Sequence, residues 1–178
     1  MEISSSIPAP YKANKNEFIR DFGGVFEHSE WIAEQTWARK PSKFHNSVEN
    51  LHTLMLSIFR QATKDQKLVV LNAHPDLGAK LIKQKELTKE SAKEQASAGL
   101  NNLDLEDINT FLNLNKRYIE KHRFPFIIAA KGRTKHSILK AFKERIDNPT
   151  ELEFVEACTQ VELIAYLRIK DILDKDTQ

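Results

Sequence analysis

Between Asp104 and His122, the apolar residues Leu105, Ile108, Phe111, Leu112, Tyr118 and Ile119 gather on one face at the three- and four-residue steps of an α-helix. Asp104 stands where a helix N-cap belongs. The rest of the chain favours the same backbone. With only 5 Gly and 6 Pro in 178 residues there are too few punctuating positions for the many tight turns of an all-β fold, and Leu, Lys, Glu, Ala and Gln are abundant. The expectation is therefore an all-α, single-domain multi-helix fold over residues 1–178, with residues 1–13 as a flexible N-terminus.

Further helices are expected at Lys15–Val25, Ser29–Arg39, Ser47–Ala62, Asp65–Ala73, Thr88–Leu100 and Thr134–Ile146. Thr150 and Glu153 have the spacing of a capping box, which would open a long helix to about Leu173. The exception is Phe124-Pro125-Phe126-Ile127-Ile128-Ala129-Ala130, apolar and broken by proline, which reads as a buried extended segment or short bend. Phe18, Phe22, Trp31 and Trp37 are most simply core.

Charge and composition remove several classes of function. The balance of 27 Lys+Arg against 25 Asp+Glu leaves +2, interspersed, without the basic field that a phosphate backbone needs, so no nucleic-acid partner is expected. No apolar run reaches the ~18 residues of a membrane span, and Met1–Pro10 lacks the pattern of a signal peptide. The expected compartment is the cytoplasm, with no membrane partner. Cys158 is the single cysteine, which fits a reducing environment and excludes an internal disulfide. His28, His45, His52, His122 and His136 show no metal-ligand spacing, so no metal is expected. Neither a glycine-rich phosphate loop nor a GxSxG elbow is present.

Three places are odd for packing alone. Pro75 disfavours helical geometry at His74, which puts the imidazole at a helix C-terminus, where the dipole favours the charged ring and burial opposes it. His74 is then either a simple cap or a proton-transfer group. Ser91, Glu94 and Gln95 fall at i, i+3 and i+4, so three polar side chains share one helix face, either solvated or lining a cleft. Arg168 sits in the apolar stripe Val161, Ile164, Ala165, Ile172. A guanidinium there must snorkel, pair with a carboxylate such as Glu94, or await an anionic ligand.

These residues lie within a larger pattern. Phe22-Gly23-Gly24-Val25-Phe26-Glu27-His28-Ser29 with Trp31 and Trp37, His74-Pro75-Asp76-Leu77-Gly78, the run Ser91–Leu100 (SAKEQASAGL) and Phe124–Lys131 (FPFIIAAK) follow one another at compatible spacing. Together they resemble the 2-oxo-4-hydroxy-4-carboxy-5-ureidoimidazoline (OHCU) decarboxylases of urate catabolism, over about Phe18–Arg168. The chain departs from that family's usual Phe-Gly at His122-Arg123.

The resemblance implies an all-helical homodimer that uses no cofactor and forms S-allantoin from a small ureidoimidazoline substrate. It places catalysis on His74, with Glu94 and Arg168 orienting the substrate. It assigns substrate binding to Pro75, to Ser91, Ala92, Lys93, Glu94 and Gln95, and to the backbone of Phe126, Ile127, Ile128, Ala129 and Ala130. Two alternatives stand beside this reading: a non-catalytic helical interaction module, and a lyase acting on a related ureido acid.

Overall fold

The computed structural model describes residues 14–39, 47–77, 89–98, 100 and 103–175. The expected flexible start at residues 1–13 lies outside them, as do Gly78, Thr88 and Gly99. The described residues form eight helices and no strand, so the fold is all-α. In chain order these are α1 (Lys15–Phe22), α2 (Trp31–Ala38), α3 (Val48–Gln61), α4 (Lys64–Ala73), α5 (Lys89–Ser97), α6 (Leu105–His122), α7 (Lys135–Arg145) and α8 (Thr150–Lys175). They belong to two compact units, Met1–Ala73 with Glu162–Gln178, and His74–Val161.

In the first unit, α2 packs on α1 and α3. The core gathers Phe18, Phe22, Phe26, Leu51, Met55 and Phe59, all at most 2% exposed. Trp37 is half-buried, with its ring 5.5 Å from that of Phe18, and Trp31 is half-buried as well. Caps fix the helix starts: Asn14 accepts from the Asn16 amide, and Ser47 accepts from Asn50. Helix α1 ends at Phe22 rather than at the expected Val25, because the chain turns at Gly23. A Cβ on Gly23 would stand 2.5 Å from the Ile19 carbonyl oxygen, so this close approach requires glycine.

The second unit is built around aromatic rings. Phe126 and Phe142 stack at 3.9 Å with planes 12° apart, and Tyr118 meets Phe124, Phe126 and Phe142 edge-on. Asp104 caps α6 by accepting from the Asp107 amide, as its sequence position predicts. Helix α7 opens on a capping box between Thr134 and Ser137.

The box expected at Thr150 and Glu153 is not used. Thr150 already lies within α8, and its hydroxyl meets His122 Nδ1 at 3.1 Å. Glu153 is drawn fully inside, where it accepts from Arg145 Nε at 2.9 Å, Asn148 Nδ2 at 3.0 Å and the Tyr118 hydroxyl. A buried carboxylate that satisfies three donors, the Tyr118 hydroxyl buried with it, is worth more to the fold there than as a terminal cap.

Arg123 ends α6 in the left-handed region, φ 66° and ψ 20°. This is the position where the family pattern has glycine, and the C-cap geometry supplies the reason: a left-handed residue terminates the helix, and only glycine adopts it without steric cost.

Candidate active site

Helix α4 stops at Ala73 and the chain bends at His74, as the following proline dictates. His74 is buried at 7% exposure, while Pro75 is half-buried. Three residues on, the Leu77 carbonyl accepts from Asn115 Nδ2, a buried amide on α6 that ties down the segment carrying His74. Sequence reasoning missed Asn115. Its signal was a polar residue on the apolar face of α6, beside Phe111 and Tyr118.

Helix α5 presents Ser91 and Gln95 as buried polar side chains at 3% and 8% exposure, with Glu94 half-exposed between them and Ala92 and Lys93 facing solvent. The i, i+3, i+4 face is thus directed partly inward.

Residues Phe126–Ala130 are all buried and belong to no helix or strand. Side chains hold this stretch in place of a sheet. Arg145 Nη1 donates to the Ile127 carbonyl at 2.8 Å while its guanidinium lies 4.4 Å from the centre of the Phe126 ring. Gln160 accepts from the Ala129 amide at 2.9 Å, and Arg133 Nε donates to the Ala129 carbonyl at 3.1 Å. Burial, with the Glu153 carboxylate alongside, pushes the Tyr118 phenol far above its ordinary range, so it acts only as a neutral donor in this network.

His74, Ser91, Glu94, Gln95 and Phe126–Ala130 thus all fall in the unit His74–Val161. Two shallow surface hollows of that unit, one over Leu105, Asn109 and Arg117 and one over His136 and Lys140, contain none of them.

Arg168 belongs to the other unit and is 4% exposed. There its guanidinium pairs with the Glu27 carboxylate at 2.8 Å, an acid that the sequence analysis did not name. Nη1 also donates to the carbonyls of Gly24 and Val25 at 3.2 and 3.4 Å. The Gly24–Glu27 turn is closed by the Ser29 hydroxyl donating to the Glu27 carbonyl at 2.9 Å, with His28 at φ 46°. The FGGVFEHS motif is therefore a cradle for a buried guanidinium. Sequence reasoning passed over Glu27, whose one signal is an acid directly after the apolar Val25-Phe26.

No three His, Cys, Asp or Glu side chains among the described residues gather as a metal ion would require. No helix among them is long and apolar enough to cross a membrane.

The chain matches the family model described as OHCU decarboxylase over residues 11–170. It belongs to the OHCU decarboxylase family. Among family relatives, it is 38% identical over 161 residues to the 2-oxo-4-hydroxy-4-carboxy-5-ureidoimidazoline decarboxylase of Halalkalicoccus jeotgali, covering 90% of this chain and 88% of that one. It is also 38% identical to part of a uric acid degradation bifunctional protein of Bacillus subtilis, covering 85% of this chain and 29% of that protein. A crystal structure of an OHCU decarboxylase in the presence of (S)-allantoin superposes with a TM-score of 0.70 at 25% identity, over 86% of this chain and 98% of that one.

Proposed function

We propose that this chain is a carboxy-lyase that converts 2-oxo-4-hydroxy-4-carboxy-5-ureidoimidazoline to S-allantoin and CO2 in urate degradation. The observation that carries the reading is the family match across residues 11–170, which runs through both units and includes every residue named below. On that ground the two units serve as one OHCU decarboxylase-like domain, acting as a cytoplasmic homodimer.

The substrate dictates what the protein must supply. Its carboxylate sits on a ring carbon next to unsaturated ring atoms, so when the carbon–carboxylate bond breaks, the electron pair delocalises into the ring and CO2 leaves. A proton then adds to one face of that carbon. No external electron sink is needed. The protein has to shield the carboxylate from water, stabilise the developing charge and direct the proton.

His74 is assigned the proton transfer, and its burial beside Pro75 supports a water-poor setting. Glu94 accepts from ureido or ring N–H groups, with Ser91 and Gln95 completing the polar edge of α5. Arg168 offers its fork to a substrate oxygen, and the Glu27 carboxylate and two backbone carbonyls fix the plane of that fork. The peptide groups of Phe126–Ala130 bind the flat, amide-rich ring.

The test is incubation with freshly generated OHCU while circular dichroism follows product formation. Optically active S-allantoin should appear faster than the spontaneous racemic reaction delivers it. A racemic product at the uncatalysed rate would sink the proposal.

A further inference from the structure

The buried stretch Phe126–Ala130 solves an unusual problem: a non-helical backbone without a sheet neighbour must still be held in one conformation. Three side chains do this, and they share a pattern. Arg145 takes the Ile127 carbonyl, Gln160 takes the Ala129 amide, and Arg133 takes the Ala129 carbonyl. In an extended chain the amide and carbonyl of one residue point to one side, and those of the next residue point to the other. The side-chain grip therefore falls on residues 127 and 129, while the Ala130 carbonyl closes the following turn by accepting from the Arg133 amide at 3.0 Å. Among the described residues, no hydrogen bond is made to the peptide groups of Ile128, although the residue is buried.

Arg145 cannot be assigned to this task alone, because it also neutralises the buried Glu153. Gln160 has no such second duty. It lies one turn after Glu156 on α8, and its Nε2 donates to Glu156 Oε1 at 2.8 Å. A donor contact on one side and the Ala129 N–H on the other allow only one orientation of the amide, with Oε1 directed at Ala129.

We propose that Gln160 is a positioning residue for the decarboxylation: by holding the Ala129 amide it turns the opposite peptide edge, centred on Ile128, toward the substrate ring. This rests on the function proposed above. Gln160 does not touch the substrate; it acts through the backbone, and Glu156 sets its orientation.

The experiment compares Gln160→Met with the wild-type chain by steady-state turnover of freshly generated OHCU, with thermal unfolding as a control. Methionine keeps the length and removes the acceptor. The expected result is KM raised about tenfold, the scale of one misplaced hydrogen bond, with kcat changed less than about threefold. A purely structural role would instead lower the melting temperature and the active fraction, leaving KM alone.

A second pair of variants covers the case in which Gln160→Met fails to fold. Gln160→Glu keeps an acceptor but sets it against the Glu156 carboxylate, so KM should rise. Adding Glu156→Gln restores a donor–acceptor pair of inverted sense, and KM should return to within about twofold of wild type. Unchanged KM in a folded Gln160→Met, or no recovery in the double variant, overturns the proposal. A wild-type chain that yields no optically active allantoin overturns the functional reading beneath it, which is a distinct result.

Discussion

Glu27 and Arg168 form an ion pair at 2.8 Å with side chains only 1% and 4% exposed. Breaking one half of such a pair leaves an uncompensated buried charge, at a cost of about 3–5 kcal/mol. Glu27→Gln preserves shape and removes the charge, so urea unfolding should show a loss of that order. A loss below about 1 kcal/mol would mean that the pair is solvated in solution.

Stability and function separate when both partners are changed. Replacing a buried ion pair with apolar residues of similar volume is often neutral for stability. Glu27→Leu combined with Arg168→Met should thus regain most of the stability lost by Glu27→Gln while remaining without decarboxylase activity. Arg168→Lys keeps the charge but not the planar fork, and should raise KM. An active double variant would assign Arg168 to the fold alone.

His74→Asn tests the proton-transfer assignment. Asparagine fills a similar volume and has no titratable nitrogen, so the melting temperature should hold while turnover falls at least about 100-fold, the usual scale of positioned acid–base catalysis. Stereochemistry offers a second readout. If His74 directs the proton, residual product should lose optical purity.

Much of this arrangement was legible in the sequence because local rules decide it. Hydrophobic period and caps place α6 behind Asp104, and Pro75 ends α4 before His74. Proline and continuous apolarity mark Phe124–Ala130 as the non-helical exception. What remained hidden depends on tertiary partners. Nothing in the spacing of Thr150 and Glu153 reveals that Tyr118, Arg145 and Asn148 compete for the glutamate. Likewise, Arg168 announces its need for an anion, but 140 intervening positions separate it from the Glu27 that pairs with it, and no spacing rule links the two. Gln160 and Asn115 act on backbone groups: the apolar face of α6 marks Asn115 as out of place, but neither residue's spacing reveals which peptide group it holds.

Arg123 carries a local cost that the protein can shed. Its φ of 66° places a Cβ-bearing residue in the left-handed region, where steric strain of roughly 1–2 kcal/mol is partly offset by the smaller unfolded-state entropy of a non-glycine residue. The side chain is exposed. Arg123→Gly should therefore stabilise the chain by about 0.5–1 kcal/mol, seen as a higher urea midpoint at unchanged slope. A lower midpoint would show that Arg123 makes a compensating contact in solution.

His122 gives the fold a pH dependence with a definite sign. The ring is 2% exposed and lies 4.5 Å from Tyr118 and 5.9 Å from Phe124, centre to centre. Its Nδ1 meets the Thr150 hydroxyl at 3.1 Å, and Nε2 is buried. Burial pushes the imidazole below its ordinary 6.5, opposed by the Ile146 backbone carbonyl and the Glu153 carboxylate, with Lys121 and Arg145 adding smaller downward effects. The unfolded chain, with a pKa near 6.5, therefore takes up the proton first as pH falls. Stability is complete above that value and declines as pH drops through it toward the lower folded pKa. His52, half-buried and also depressed by burial, contributes in the same direction from the other unit. His122→Phe keeps an aromatic ring against Tyr118 and Phe124 and removes the proton acceptor. Its unfolding free energy at about pH 7.5 should stay within about 1 kcal/mol of wild type, while the decline between about pH 7 and 5.5 becomes shallower and leaves the part due to His52. Urea unfolding at several pH values measures both, and parallel declines in variant and wild type would show that His122 titrates alike in the folded and unfolded chains.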